Sequence, residues 1–287
     1  WWFFWGTTIC KVLLVFTLLL SFTGYLLPWD QKGYWATKVA TNLVALVPLV
    51  GPELQKLVVG GSEYGHHTLT RFFALHAGVL PGLMIAFIVG HVYLFRKHGI
   101  KSKRPHRSKD ASFWPEQVFK DAVACLAVLL TVVFLTIWFH GAPLADPADP
   151  ADPYAAARPE WYFLFLFQLL KYFPGQWTIL GSLVIPGIVV LWMFAKPFIA
   201  KEKKGHRFNI WALWGLLLGV VLLTWLAIEE DRSKLIFQAS VSESERRSER
   251  VKELAKIKGI PAQGAVVLLR EDPKTQGPRI FASHCSS

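Results

Sequence analysis

The stretch Arg71–Gly99 has the sequence RFFALHAGVLPGLMIAFIVGHVYLFRKHG, an apolar run with two histidines inside it, His76 and His91, and a third, His98, at its basic end. A helix that crosses a bilayer needs about 20 mostly apolar residues, so this run is long enough to span a membrane. The two histidines are 15 residues apart, which in an α-helix is about four turns plus 60° and about 22 Å along the axis. We therefore expect both imidazoles near one face of the helix, one towards each side of the membrane.

The composition of the whole chain is that of a membrane protein. Of the 287 residues, 53% are hydrophobic and 13 are tryptophan, and the mean hydropathy is +0.36. Because backbone groups inside a bilayer must be satisfied within helices, this composition predicts an all-α polytopic membrane protein rather than a soluble domain. Five spans are predicted, at about Thr8–Leu27, Phe72–Phe95, Val118–Phe139, Thr178–Ile199 and Ile210–Ile228.

The net charge of +11 is explained better by membrane orientation than by nucleic-acid binding. The loops Arg96–Asp121 and Lys196–Arg207 carry formal charges of +5 and +4, whereas Pro28–Arg71 carries +1 and His140–Trp177 carries −2. Basic loops stay on the cytoplasmic side. We therefore predict a multi-pass protein of the bacterial cytoplasmic membrane whose two basic loops are cytoplasmic and whose C-terminal tail is extracytoplasmic.

The segments outside the spans differ in composition. Gln31–Gly60 and Trp161–Tyr172 are semi-apolar and are predicted to form helices in the membrane interface. The repeat ADPADPADP at Ala145–Pro153 favours extended backbone, because proline restricts its own φ angle. Ser240–Lys258 is rich in Ser, Glu, Lys and Arg and predicts a solvated helix or linker, and Gly259–Ser287 is expected to begin a further domain.

The two ends of the chain and the three cysteines do not by themselves indicate a function. The chain starts at Trp1 rather than Met and stops at Ser287, and we expect both ends to be cut. Cys10, Cys125 and Cys285 are far apart and predict neither a disulfide framework nor a metal-ligand cluster. The first two are expected to be buried apolar fillers.

His76 and His91 are the strongest functional candidates. A lone histidine in a membrane helix can be a hydrogen-bonded packing residue, but ionisable residues inside a membrane are usually functional. Two of them on one face favour ligation of two stacked haems, and therefore electron transfer across the membrane. Each iron needs a second histidine, which we expect outside this chain, because the remaining histidines fall in loops, at span edges or in the tail (His66, His67, His98, His106, His140, His206 and His284).

Three motifs, together with this spacing, resemble cytochrome b of the quinol-oxidising cytochrome bc complexes. They are GYLLPWDQ at Gly24–Gln31, TLTRFFALH at Thr68–His76 and RPEWYF at Arg158–Phe163, and the resemblance runs from Thr7 to about Asp231. The spacing of the histidines and the WDQ sequence are similar to the chloroplast and bacterial b-f-like type. The family's first two helices, which carry the other histidine pair, are absent from this sequence. The five spans would then complete part of a haem-binding four-helix bundle and a C-terminal three-helix region.

The resemblance implies roles for the residues around two b-type haems. His76 would ligate the low-potential haem near the outer face, and His91 the high-potential haem near the cytoplasm. Arg71 and Arg96 flank this helix and are either counter-ions of the haem propionates or ordinary interfacial charges.

The resemblance also implies roles for two small residues of the first span. Gly24 is either a helix end or kink, or the small residue that lets a haem approach the backbone. Cys10 stands where the family has a companion glycine, so packing against the inner haem is expected to differ.

The motif Pro159-Glu160-Trp161-Tyr162 implies a quinol-oxidation site. By itself, Glu160 is a carboxylate in a first helical turn, which the helix dipole favours. The resemblance implies that Glu160 accepts a proton from quinol, that Tyr162 shapes or hydrogen-bonds the site, and that Trp161 packs. Phe167 stands where mitochondrial members have a tyrosine, which removes one hydroxyl from the pocket.

Cys285 lies in GPRIFASHCSS, which resembles the first helix of a cytochrome c domain. A terminal free cysteine is the simpler interpretation, because covalent haem attachment needs a second thiol and an adjacent histidine. The resemblance predicts a c-type haem held through Cys285 on a truncated domain.

The resemblance as a whole implies three regions and a redox function. These are the second half of a haem-bundle domain (1–117), a C-terminal domain (118–231), and a linker with the start of a cytochrome c domain (232–287). The C-terminal domain contains the motif Pro159-Glu160-Trp161-Tyr162, and the loop that carries this motif is called the PEWY loop below. The implied function is a subunit of a quinol:cytochrome c oxidoreductase. Its expected protein partners are a Rieske iron–sulfur protein and cytochrome c or a similar acceptor, and no nucleic-acid partner is expected.

Electrons from quinol would divide between the Rieske protein and the two haems, and protons would be translocated. A homodimeric complex in membrane lipid is expected. The alternatives are a di-haem membrane anchor of another respiratory dehydrogenase and a haem-free transporter or scaffold.

Overall fold

The computed structural model describes residues 2–99 and 112–285. Within these residues the backbone forms helices and one isolated bridge, between Asp30 and Pro147, and no strand. The all-α class is therefore confirmed. Much of the first basic loop lies outside the described residues, including Lys101, Lys103, Arg104, Arg107 and Lys109.

Twelve α-helices occur in the described residues, some of them joined by short π or 3₁₀ turns. They are α1 (Trp2–Tyr25), α2 (Gln31–Val44), α3 (Gly51–Val59), α4 (His66–Ala74), α5 (Leu80–His98), α6 (Val118–Trp138), α7 (Trp161–Lys171), α8 (Ile185–Ile199), α9 (Lys203–Ser233), α10 (Leu235–Lys258), α11 (Val266–Arg270) and α12 (Pro273–His284).

Among the residues that the structure describes, five helical segments are long and apolar enough to cross a membrane, as the sequence predicts. They are Thr8–Tyr25, His66–His98, Phe113–Trp138, Gly175–Ile199 and Lys203–Ser233. Several of these helices continue past the end of their apolar stretch into polar residues, because the backbone hydrogen bonds of the helix continue there. The chain is thus a multi-pass integral membrane protein.

The chain divides into two compact units. One is Phe95–Leu144, which contains α6, a helix with no buried residue. The other combines residues 1–94 with 145–287 and contains both candidate sites. In this larger unit α1 packs against the α4–α5 segment and against α8, and α7 packs on α9.

Two loops of the larger unit are fastened to each other beside the N-terminus of α2. The Asp30 carboxylate accepts a hydrogen bond from the Gly33 N–H at 2.8 Å, which caps α2, and another from the Ala145 N–H at 3.0 Å. The Gln31 N–H donates to the Asp146 carbonyl at 2.8 Å. The WDQ motif therefore anchors the ADPADPADP repeat, which leads into the PEWY loop.

The charged tail segment is more structured than the sequence indicates. Ser240–Lys258 lies within α10, and Ser244, Ser248, Val251 and Leu254 form a buried stripe along it. The expectation of a simply solvated segment is wrong, because this face packs on α11 and on the ADP repeat. Val251 and Leu254 form a small apolar core with two leucines of α11.

Candidate functional site

Both histidines of the second span face α1. His76 and His91 are partly buried, whereas the residues beside them on α5 and the preceding turn are mostly exposed. The Phe16 and Phe87 rings meet at 5.3 Å between centroids, midway along the same seam. The structure therefore places the two imidazoles along one interface, each against a different part of α1.

A π-helical turn at Leu75–Val79 contains His76. Such a turn accommodates about one residue more than an α turn and is frequent at functional sites. The 15-residue separation of the histidines therefore acts as about 14 α-helical steps, which is about 40° short of four turns. The turn thus helps to keep His76 and His91 on the same side of the helix.

The His76 ring is held in one orientation by the last turns of α1. Its Nδ1 lies 3.0 Å from the Leu20 carbonyl oxygen and 3.3 Å from the Thr23 hydroxyl. A carbonyl oxygen only accepts hydrogen bonds, so Nδ1 carries the proton and donates it, and Nε2 keeps a free lone pair. This is the arrangement that orients a histidine for metal ligation.

Gly24 makes room for this ring. A Cβ at position 24 would lie 2.5 Å from His76 Cε1 and 3.0 Å from Nδ1. No side chain larger than hydrogen fits there without moving the imidazole. Gly24 thus contacts the His76 ring directly, whereas the resemblance implied only that a haem approaches the backbone at Gly24.

His91 has a different neighbour. The Cys10 Sγ lies 3.6 Å from His91 Nε2, and His91 Nδ1 is buried without a hydrogen-bond partner. The residue that stands at the companion-glycine position is therefore in contact with the second histidine. A ring with an unsatisfied nitrogen and a second nitrogen beside a thiol is not held as firmly as His76.

These residues fit b-type haem. His76 presents an oriented Nε2, a glycine opens the adjacent backbone, and His91 lies on the same interface with a nitrogen that lacks a partner. In the described part of the chain no group of three or more His, Cys, Asp or Glu residues could hold a metal ion. One ligand per iron from this chain suits haem, because the porphyrin itself supplies most of the ligands of the iron.

The two arginines occupy different positions. The Arg71 guanidinium donates to the Leu57 carbonyl, near the C-terminal end of α3. Arg96 is exposed in the last turn of α5. Arg71 is thus partly committed to fixing α3.

A cavity of about 230 Å³ lies between α1, α2 and α7. Its walls are almost entirely apolar, and Pro159, Glu160, Tyr162 and Phe167 are among the lining residues. Trp161 does not line it, since the side chain of this first residue of α7 points outward and is 71% exposed. The structure thus gathers four of the five residues predicted for the quinol site around one cavity.

Glu160 forms an ion pair that the sequence did not reveal. Its Oε1 lies 2.8 Å from Lys32 Nζ of α2, and the two side chains are 34% and 41% exposed. The pKa of the Tyr162 hydroxyl is raised, first by burial and then by the negative charge of Glu160. The phenol beside the carboxylate therefore keeps its proton and can donate a hydrogen bond.

Arg158 fixes the backbone before this motif. Its guanidinium forms a partly buried bidentate pair with Asp231 at 2.9–3.1 Å and lies over the Phe167 ring at 4.8 Å. The Arg158 carbonyl accepts a hydrogen bond from the Tyr25 hydroxyl at 3.0 Å. The PEWY loop is thus held between α1 and the end of α9.

Cys285 immediately follows α12 and is exposed, with its N–H bonded to the Phe281 carbonyl at 2.8 Å. Cys10 and Cys125 are also exposed, so the expectation that they are buried fillers is wrong: Cys125 lies on α6, which has no buried residue, and Cys10 lies beside the partly buried His91.

Comparison with known proteins identifies the family. Residues 3–147 match the family described as "Cytochrome b(N-terminal)/b6/petB", and residues 147–243 match "Cytochrome b(C-terminal)/b6/petD". Among solved structures, a chain of "Hyperthermophilic respiratory Complex III" has a TM-score of 0.61 and 24% sequence identity, with 83% of this chain and 67% of that chain covered, which is a likeness of fold. The chain belongs to the cytochrome b family, whose members are haem-binding membrane subunits of bc-type electron-transport complexes.

Proposed function

We propose that this chain is the cytochrome b subunit of a quinol:cytochrome c (or similar acceptor) oxidoreductase. The observation that carries the proposal is that one short stretch of α1 serves both candidate sites. Ser21, Phe22 and Tyr25 line the cavity beside Glu160, while Leu20, Thr23 and Gly24 contact His76. A quinol in the cavity would lie against the helix that also positions the ligand of the nearer haem.

The residues of the cavity suit quinol as the substrate. Its apolar walls would hold a quinol ring, and Glu160 and the Tyr162 hydroxyl supply polar groups at its edge. Oxidation of quinol to quinone releases two electrons and two protons. We assign one proton to the Glu160 carboxylate, acting as a general base, and the second to release on the same side of the membrane.

His76 and His91 would each hold the iron of one b-type haem through a ring nitrogen, with the partner histidines outside this chain. The haems, when bound, would carry single electrons between the two sides of the membrane. The other electron from quinol would go to a Rieske iron–sulfur protein and on to cytochrome c or a similar acceptor. Arg71 and Arg96 remain candidates for pairing with propionates.

Further assignments belong to the same proposal. The WDQ motif and the histidine spacing support the chloroplast and bacterial b-f-like type. The basic loops support a cytoplasmic-membrane protein with its tail outside, and on that side Cys285 would hold a c-type haem at the start of a cytochrome c domain. We also propose a homodimeric complex, and the three regions 1–117, 118–231 and 232–287 as its functional divisions.

The test is Glu160→Gln in the haem-loaded complex that contains the full-length chain. Quinol oxidation should slow by about 10²-fold, which is typical for loss of a general base, while haem content stays unchanged. Glu53→Gln is the matched control, because Glu53 is exposed on α3 and pairs with Lys56 far along the chain from the motif. Unchanged turnover in Glu160→Gln would exclude this role for Glu160.

A further inference from the structure

Lys32 is the one residue of α2 whose charge reaches the PEWY motif. Its Nζ lies 2.8 Å from Glu160 Oε1, although the two residues are 128 positions apart. The same ammonium lies 5.9 Å from the centre of the Tyr25 ring, which lines the cavity. Lys32 itself does not line the cavity, so its ammonium approaches Glu160 from outside the pocket.

The other polar groups near Glu160 cannot replace this cation. Tyr25 from α1 and Tyr162 from α7 are neutral phenols that face the carboxylate. Asp30, at the start of α2, carries the same charge as Glu160. Arg158 is committed to Asp231. In the described part of the chain, Lys32 therefore supplies the cation paired with Glu160.

The exposure of the pair points to its place on the proton route. Both side chains are about one third exposed, at 34% and 41%, whereas the cavity beside them is lined almost entirely by apolar atoms. The carboxylate therefore lies between an apolar pocket and water. A negatively charged Glu160 is attracted to Lys32, and a neutral, protonated Glu160 is not.

Resting on the function proposed above, we propose that Lys32 is a positioning residue that holds the Glu160 carboxylate at the water-facing side of the pocket between turnovers. When a quinol O–H bond breaks and its proton bonds to a Glu160 oxygen, the ion pair is lost. When that proton passes to water, the carboxylate re-forms and Lys32 holds it again. Both electrons leave along the routes given above, so this step moves a proton only.

The proposal predicts a loss of turnover that follows the charge at position 32. Without the ammonium, nothing holds the Glu160 carboxylate at the water-facing side, so the proton leaves the pocket more slowly and the kcat of quinol oxidation falls. Because a partly exposed ion pair is a weak interaction, we expect kcat to fall by about threefold. The apolar walls of the cavity are unchanged, so the KM for quinol should change less than about twofold, and the rate profile, which is the dependence of rate on quinol concentration, separates the two constants.

The experiment compares Lys32→Met, Lys32→Arg and Lys38→Met in the haem-loaded complex with the full-length chain. Initial rates of b-haem reduction are measured at one pH over a range of concentrations of a short-chain naphthoquinol and of a short-chain benzoquinol. Lys38 is the matched control, because it lies on the same helix but over the Trp35 ring at 4.6 Å rather than at Glu160. Lys32→Arg should restore the wild-type profile, and Lys38→Met should leave it unchanged.

Parallel variants in a Glu160→Gln background separate this proposal from the function on which it rests. If Lys32→Met displaces the profile only when Glu160 is present, the proposal is supported. If Glu160→Gln is slow but Lys32→Met has the wild-type profile, the role of Lys32 is wrong and the role of Glu160 stands. If Glu160→Gln is fully active, the proposed role of Glu160 is wrong, and the role of Lys32, which rests on it, is wrong as well.

Discussion

Replacement of Gly24 by valine should selectively disturb the haem site at His76. The first added carbon would lie 2.5 Å from His76 Cε1, about 1 Å inside a normal carbon–carbon contact. A ring displaced by about 1 Å loses the 3.0 Å hydrogen bond from Nδ1 to the Leu20 carbonyl. Overpacking costs about 1–3 kcal/mol and the lost hydrogen bond about 1 kcal/mol. The sum corresponds to about 30- to 1000-fold weaker haem retention.

The assay is the visible spectrum of the purified complex during stepwise reduction. Gly24→Val should lose or shift the b-haem component assigned to His76 and keep the one assigned to His91. Gly82→Ala is the control, because a Cβ at position 82 of α5 meets no atom within 4 Å. Two unshifted b-haem components at full occupancy in Gly24→Val would refute the reasoning.

The tail provides two further predictions. Arg247→Gln removes the cation that pairs with Asp152 at 2.5 Å and with the buried Asp146 at 3.6 Å. The docking of α10 should therefore weaken by about 2 kcal/mol, which faster proteolysis and faster amide exchange in α10 would show. The control is Arg246→Gln, because Arg246 is exposed. The Arg250 guanidinium holds the pKa of Asp272 well below its usual range. The stability from this pair is present above the unfolded pKa of about 3.9 and lost as the pH falls towards the folded value, so amide protection of α12 should stay constant from pH 7 to 5 and fall below about pH 4. A loss of protection already at pH 6 would contradict this assignment.

The sequence predicts well what depends on hydropathy and helical spacing. The five spans and the common interface of His76 and His91 follow from apolar runs and from the 3.6-residue period of the helix. The helix that begins at Trp161 follows from its aromatic, apolar composition. These features are local, so neighbouring residues in the sequence contain the information.

Features that depend on distant contacts could not be predicted in this way. The Lys32–Glu160 pair joins α2 to the residue that precedes α7, 128 positions away, and no spacing rule links them. The buried face of α10 includes Ser244 and Ser248, which carry no hydropathy signal and become buried only because Asp146 and its neighbours dock there. The π turn at His76 also has no sequence signature, although it decides the angle between the two histidines.

The measurement that tests the central claim most directly is the b-haem content per chain of the full-length complex, compared with His76→Leu and His91→Leu. The account predicts two b-type haems in the unmodified protein, loss of one component in each variant, and loss of different components in the two. Retention of both haems in either variant would contradict it.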